Sequence, residues 1–199
     1  MSAAVSEPAV ASHRARLTRG LAAAIAEKGY AAATIADVVA HAHVSKRTFY
    51  EHFVDKEASF LALYSETSDE LLRLIAEATA RSGAPWDERL AAAARAYFER
   101  VAAEPALIRA VLIEIQAAGP AARRLRRDVQ KRYADLLRAL SVDAAAEEPA
   151  VHALTPALAT AVVGGLNELM LEAVEDGRED RIGELADAAI ELIRAALTR

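Results

Sequence analysis

Residues 34–58 read TIADVVAHAHVSKRTFYEHFVDKEA, and this stretch decides the fold. Thr34 is followed three residues later by Asp37, a spacing that resembles a capping box and predicts the start of a helix. Ile35 and Val38 then give this helix a short apolar face, and the pattern ends near His41. The stretch therefore begins with a helix of about two turns.

A second short helix is predicted over residues 46–53. Ser45 is a favourable N-cap for it, and Phe49 and Phe53 lie four residues apart, so we expect both rings in the core. Only a few residues separate the two helices. Two short helices joined by a tight turn are typical of a helix-turn-helix unit.

The exposed face of the second helix carries groups that recognise DNA. Lys46 and Arg47 can donate hydrogen bonds to guanine in the major groove, and Thr48 can contact a thymine methyl group. Tyr50 and His52 follow, and both are typical phosphate donors. An ordinary solvated face is the alternative interpretation of the cations, and Tyr50 could also pack its ring in the core.

The rest of the composition favours an all-α protein. The 199 residues are 54 % hydrophobic but only 5 % aromatic, and alanine, the best helix former, is abundant. Gly and Pro fall between periodic segments, which predicts about nine helices. Their expected positions are 13–28, 34–41, 46–53, 55–80, 85–103, 105–117, 121–140, 155–176 and 180–197. Residues 141–154 are expected to be mainly a loop.

Charge and cysteine content narrow the function. The net charge is −5, yet residues 1–56 carry seven Lys/Arg against five Asp/Glu, so the acidic excess lies in the remainder. Such an asymmetry suits a DNA-binding head on a larger body. The chain has no cysteine, and His41, His43 and His52 are not spaced as metal ligands, so we expect no metal and no cofactor. No paired-carboxylate or Ser/His/Asp pattern indicates an enzyme.

The stretch 34–58 resembles the DNA-binding segment of the tetracycline-repressor (TetR) family. The resemblance is carried by Thr-Phe-Tyr-x-His-Phe at 48–53 and by Asp-Lys-Glu at 55–57, and it extends over about residues 13–63. It implies that Lys46, Arg47 and Thr48 face bases. The implied phosphate contacts are Thr34, Ser45, Tyr50, His52 and Lys56. One departure is His43, which stands where the family usually has glycine.

The resemblance also implies a domain organisation. It assigns residues 13–56 to the helix-turn-helix domain and residues 57–199 to an effector-binding and dimerisation domain. Residues 1–12 are small and polar, and this composition predicts a disordered arm. In the family the last two helices form a four-helix interface with a second subunit. Wide apolar faces here agree, although an interior helix would show them too. The expected interface residues are Leu158, Val162, Leu166, Leu169, Ile182, Leu185, Ala189 and Ile193.

A pocket for a small apolar or amphipathic effector is the last implication. The candidate residues are Tyr64, Trp86, Tyr97, Phe98, Glu114, Tyr133, Asn167 and Met170, for most of which a plain core position is the alternative. The sequence thus predicts a cytoplasmic, homodimeric DNA-binding regulator with no membrane segment. We expect a repressor that a small molecule releases from a pseudo-palindromic operator. A regulator without an effector, or an activator, remains the alternative.

Overall fold

In the computed structural model the described part of the chain is residues 7–80 and 83–198. Within these ranges it forms nine helices, a 3₁₀ turn at Glu179–Glu184 and no strand, which confirms the predicted all-α class. They are α1 (Glu7–Ala32), α2 (Ile35–Ala42), α3 (Lys46–His52), α4 (Lys56–Thr79), α5 (Trp86–Ala102), α6 (105–117), α7 (Pro120–Glu147), α8 (Pro156–Glu175) and α9 (Leu185–Leu197).

Helix α1 is longer than predicted at both ends. It begins at Glu7, so residues 7–12 of the expected disordered arm are helical, and residues 1–6 lie outside the described part. Pro8 falls in the first turn, where its missing N–H costs nothing. At the other end Gly29 has the expected left-handed conformation (φ 74°), but helical backbone resumes after this kink as far as Ala32.

Helices α2 and α3 form the predicted helix-turn-helix. The capping box at the start of α2 is present, because Asp37 N donates to Thr34 Oγ1 and Thr34 N donates to Asp37 Oδ2. Ser45 caps α3 by accepting a hydrogen bond from Thr48 N. Phe49 is completely buried on the inner side of α3. Local capping and one apolar face therefore set both helices.

His43 closes the turn between these helices in the left-handed region, with φ 51° and ψ 49°. Its N–H donates to Ala40 O, and the N–H of Val44 donates to Val39 O, which satisfies carbonyls at the end of α2. Arg16 Nη2 donates to His43 O at 2.7 Å and fastens the turn to α1. His43 in place of glycine therefore keeps the turn geometry. Its backbone is strained, because a residue with a side chain is disfavoured in the left-handed region.

We expect His43→Gly to raise the free energy of unfolding by about 0.5–1 kcal/mol. A left-handed conformation costs a non-glycine residue about 1–2 kcal/mol, and the greater freedom of glycine in the unfolded chain offsets part of the gain. Urea denaturation measures the change. Gly177→Ala is the reverse control, since Gly177 has φ 68° with open space around it, and it should lose stability. A His43→Gly protein no more stable than wild type would contradict the assignment of strain.

Gly20 sets the distance between α1 and α2. A Cβ atom at this position would lie 2.7 Å from Val38 O and 3.0 Å from Ala42 N. Both are backbone atoms and have no flexible side chain to move aside. Only glycine therefore allows the close crossing that seats α2, and hence the turn and α3, on α1.

One continuous core joins the helix-turn-helix head to the body. It contains Leu17 and Leu21 of α1, Phe60 of α4, and Val101 of α5, and it reaches Ile182 before α9. Helix α6 also packs against α1. The predicted boundary near residue 56 therefore falls between α3 and α4 in sequence, but the core continues across it.

Helix α6 contains a π-helical turn, Ala110–Glu114, between the α-helical segments Pro105–Arg109 and Ile115–Ala117. Ala110 and Val111 of this turn are buried, and the turn contacts α1. Turns of this kind occur often at functional sites. The helical periodicity of the sequence did not predict this widening.

Helix α7 continues seven residues past its predicted end at Leu140. Ser141, expected to open a loop, is buried within the helix, and its hydroxyl donates to Arg138 O and accepts from Leu154 N. The alanines at 144–146 favour helix strongly enough to extend it to Glu147. The predicted loop is thereby shortened to residues 148–155.

Helices α8 and α9 complete the body, with α8 packed mainly on α7 and α9 mainly on α5. Thr155 caps α8 as predicted, by accepting from Leu158 N. By length and composition α8 is apolar enough to cross a membrane, as core helices of soluble proteins also can be, yet only 28 % of its most apolar window is buried. This property is hard to recognise in the sequence because Asn167, Glu168 and Glu172 interrupt the apolar run.

Candidate DNA-binding surface and ligand cavity

The outer face of α3, formed by Lys46, Arg47 and Tyr50, is open to solvent. The Arg47 side chain is 90 % exposed and its Nε lies 3.1 Å from Glu51 Oε1, a pair that solvent screens strongly. Tyr50 is 58 % exposed, with its ring edge-on to the buried Phe49. Tyr50 is therefore not a core residue, and the side chains of Lys46, Arg47 and Tyr50 are all accessible to solvent. We call these three residues the recognition face.

Thr48, Ser45 and Thr34 are less free than the recognition face. Ser45 Oγ accepts from Thr48 N and lies 3.0 Å from Thr48 Oγ1. Thr34 Oγ1 donates to Asp37 Oδ2 at 2.7 Å, so its proton is directed at a carboxylate. Asp37 also binds Lys28 Nζ, and these contacts hold the pKa of Asp37 well below its ordinary value. The hydroxyls of Thr34 and Ser45 act here primarily as helix caps.

His52 lies at the end of α3, partly buried, at a ring-centroid distance of 6.4 Å from His13 of α1. Arg14 of the same helix stacks over the ring of Phe53 at 4.7 Å, and its Nε contacts Glu66 Oε1 at 2.7 Å. These side chains hold the end of α3 between α1 and α4. This role of Arg14 could not be predicted from the sequence, because Phe53 and Glu66 are distant from it along the chain.

The structure gives Lys56 a different place from the predicted phosphate contact. Its Nζ donates to Tyr30 O at 2.6 Å and to Ala33 O at 2.8 Å, and lies 3.4 Å from Ala31 O. The ammonium also stands over the ring of Tyr30, 4.4 Å from its centroid. A lysine at a helix C-terminus satisfies its last carbonyls in this way. Lys56 therefore fastens α4 to the end of α1.

We expect Lys56→Met to lower the free energy of unfolding by about 1–3 kcal/mol, because charge-assisted hydrogen bonds are lost while the length of the side chain is kept. Denaturation in urea measures the change, and Lys131→Met, an exposed lysine on α7, should change stability by less than about 0.5 kcal/mol. If Lys56→Met kept full stability and lost DNA affinity, the original assignment to a phosphate would be right.

A central cavity of about 170 Å³ lies in the body. Its wall is built from α4 to α9 and is mainly aliphatic and aromatic. Several of the predicted pocket residues line it, and they come from four helices: Tyr64, Tyr97, Phe98, Tyr133 and Met170. Asn167 lines it as well. Periodicity alone could not separate these positions from plain core, because both point inward.

Two predicted pocket residues lie elsewhere. Trp86 lines an outer cleft of about 540 Å³ at the end of α5, together with Arg89, Glu147 and Asp143. Glu114 lies beside the α1 kink, since its Oε1 would be 3.4 Å from a Cβ atom on Gly29. The π-helical turn of α6 directs Glu114 toward α1 and brings Val111 and Leu112 to the cavity wall.

The central cavity and the outer cleft are neighbours. They share the wall residues Thr79, Leu90, Leu137, Leu140 and Ile193. At the outer cleft Arg89 Nη2 lies 2.8 Å from both carboxylate oxygens of Glu147. A ligand entering along this path would pass from polar groups at the surface to an apolar interior.

Half of the predicted dimer residues are buried within the subunit, which corrects that assignment. Val162, Ala189 and Ile193 belong to the subunit's own core, because α8 and α9 pack these stripes mainly on α7 and α5. Ile182 is also buried, in the 3₁₀ turn Glu179–Glu184 that precedes α9 and packs on α5. Leu158, Leu166 and Leu185 are partly buried, and Leu169 is 36 % exposed. The exposed positions of the two helices carry small residues together with charged ones, among them Glu168, Glu172 and Glu191.

We call the exposed small and apolar residues of α8 and α9 the small-residue face. It is defined by Ala157, Ala161, Gly164, Leu169, Ala188, Leu192 and Ala195. A Cβ atom on Gly165 would lie 3.9 Å from Leu192, which places the α8 and α9 parts of the face side by side. Gly164 has open space around it. The helical pattern of large apolar residues missed this face because its members are mainly alanine and glycine.

Comparison with known proteins matches both parts of the chain. The family model of bacterial regulatory proteins of the tetR family matches residues 17–63, and the model of the tetracyclin repressor-like C-terminal domain matches residues 83–197. No curated protein sequence gives a significant match.

Solved structures share the fold at low identity. FadR from Bacillus subtilis, solved in complex with stearoyl-CoA, has a TM-score of 0.78 at 20 % identity, over 90 % of this chain and 96 % of that chain. FadR from Bacillus halodurans, a fatty acid degradation regulator, gives the same values. A TetR family regulator from Marinobacter aquaeolei has a TM-score of 0.72 at 19 % identity, over 97 % and 99 %. With the two family models covering most of the chain, this protein is a DNA-binding transcriptional regulator of the tetR family.

Proposed function

We propose that the protein is a homodimeric, cytoplasmic repressor that leaves its operator when a small apolar or amphipathic molecule fills the central cavity. The observation that carries this proposal is the continuity of α4. Its first residue, Lys56, is fastened to α1 of the head, and Tyr64, Thr67 and Leu71 further along line the cavity. A ligand that moves α4 moves the head with it.

Helix α6 supplies a second connection of the same kind. Val111 and Leu112 of its π-helical turn line the cavity, while the same turn packs against α1. Helices α4 and α6 thus each contact the cavity on one side and the head on the other.

The small-residue face supports the homodimer. Helix α8 is long and apolar, yet only five of its residues are fully buried in the single subunit, and its exposed apolar positions can be covered by a partner. Small side chains at Ala161 and Gly164 would let a second helix approach closely. A two-fold dimer covers the face with its own copy, as closed homo-oligomers do.

Dimerisation gives the ligand a means of control. The two recognition faces must stand about 34–36 Å apart to enter successive major grooves. The ligand binds more tightly to a dimer whose recognition faces have another spacing than to the dimer that fits DNA. Ligand binding then lowers the affinity for DNA by the ratio of the two ligand affinities. The protein therefore acts by linked binding and needs no catalytic group.

Selection of duplexes from a random pool tests the DNA-binding part. The selected duplex should be an inverted repeat, and one dimer should bind it. Stearoyl-CoA is the first ligand to add, because the fold of FadR has been solved with it. Saturating ligand should weaken operator binding about tenfold or more in fluorescence anisotropy. A protein that binds both DNA and ligand with no mutual effect would contradict release and favour a regulator without an effector.

A further inference from the structure

The wall of the central cavity carries no Asp, Glu, Lys, Arg or His among the described residues. Its polar members are uncharged: Thr67, Ser68, Thr79, Gln130, Asn167 and three tyrosines. An unpaired charge buried among such groups would be strongly unfavourable. The part of a ligand that occupies this cavity is therefore uncharged.

The three tyrosines, Tyr64, Tyr97 and Tyr133, form what we call the phenol cluster. The rings of Tyr97 and Tyr133 meet edge to face, 6.2 Å between centroids. Tyr97 Oη lies 3.8 Å from Met170 Sδ, and Tyr133 Oη lies 3.4 Å from Ser68 O. Tyr133 also hydrogen-bonds to Tyr97. Thioether sulfur is a weak acceptor and 3.4 Å is long for a hydroxyl bond, so these hydroxyls can exchange their present partners for a stronger acceptor.

The protonation state of the cluster fits a donor role. Burial raises the pKa of Tyr64 to about 12 and raises those of Tyr97 and Tyr133 well above the ordinary value. All three phenols keep their protons at neutral pH. They can then donate to an acceptor. Arg126 acts on Tyr64 and Arg132 acts on Tyr133 from outside the wall, but the wall itself offers a carboxylate no direct ion pair.

The cluster stands between two apolar parts of the cavity. Leu90 lies seven residues before Tyr97 on α5, about 10 Å away along the helix, and Val101 lies one turn beyond it on the other side. The polar atom of the occupant is therefore flanked by apolar space.

We propose that the phenol cluster donates hydrogen bonds to an uncharged carbonyl oxygen, as in an ester, thioester or amide, within an elongated apolar effector, and that the cavity rejects the free carboxylate. This inference rests on the proposed function insofar as the cavity is the effector site. It adds the chemical class that the site selects.

Equilibrium dialysis of radiolabelled methyl decanoate, decanoate and undecane with the whole protein tests the inference. At pH 7.5 the ester should bind about tenfold or more tightly than the carboxylate. Tyr97→Phe and Tyr133→Phe should each weaken ester binding roughly fivefold and leave undecane binding unchanged, because only a hydrogen bond is removed. Tyr50→Phe, on the recognition face, is the matched control and should change none of the three affinities.

Equal affinity for ester and carboxylate, unchanged ester affinity in both phenylalanine variants that melt like wild type, or no ester binding would overturn the inference. The proposed function fails separately. Ester that binds through the cluster but leaves operator affinity unchanged would remove ligand-controlled release and retain the carbonyl site. If a ligand released the operator but bound equally well to wild type and to both phenylalanine variants, the carbonyl site would be removed and ligand-controlled release would be retained.

Discussion

Replacing Lys46 and Arg47 together by alanine is expected to weaken binding to the selected duplex roughly 100-fold or more. Each dimer loses four cationic side chains from the recognition faces, and a base contact of this type contributes about 1–3 kcal/mol. The Arg47 side chain is 90 % exposed, so its removal should leave folding and dimerisation intact. Fluorescence anisotropy at constant salt measures the loss, and a melting curve verifies the fold.

The matched control is Arg123→Ala with Arg127→Ala. Both arginines are exposed on α7, and the double variant has the same change in net charge. It should retain operator affinity within a few-fold, because neither arginine belongs to the recognition face and an exposed charge without a direct contact acts only through a screened field. An equal loss in both double variants would show a general electrostatic effect and remove the assignment of α3 to the groove.

The second large effect is expected for Gly164→Glu. In the single subunit the substitution has open space and replaces glycine in a helix, which favours helix formation by several tenths of a kcal/mol. In a dimer built on the small-residue face it buries a carboxylate in a close contact, which costs several kcal/mol. The variant should therefore sediment as a folded monomer at micromolar concentration and bind the selected duplex at least about 100-fold more weakly.

Ala76→Glu, an exposed position on α4, serves as its control and should leave the dimer unchanged. If Gly164→Glu still sedimented as a dimer with wild-type operator affinity, the interface would lie on another face of the molecule. Agreement between the two readouts matters, because the same contact sets both the assembly and the spacing of the recognition faces.

The head could be predicted from the sequence because its determinants are local. Thr34 with Asp37, and Ser45 with Thr48, cap helices within three residues of themselves, and His43 occupies the left-handed position that the turn requires. Gly20 escaped prediction since its role depends on Val38, eighteen residues away, whose carbonyl oxygen leaves no room for a Cβ atom.

Long-range contacts account for the remaining differences. Lys56 is spaced in sequence like a phosphate contact, but carbonyls at the end of α1 come within reach only after folding. The apolar stripe of α9 does not reveal whether its own subunit or a partner covers it, and here α5 covers Ile193 and Ala189. Tyr97 and Tyr133 resemble core residues in sequence, and only the structure shows the cavity that they line.

Hydroxyl-radical footprinting of the selected duplex tests most directly whether two copies of α3 lie in DNA at once. The dimer should protect two patches on one face of the duplex, centred about one helical turn apart, and methylation of guanine N7 inside them should interfere with binding. A single protected patch, or interference confined to the minor groove, would contradict reading of successive major grooves by paired recognition faces.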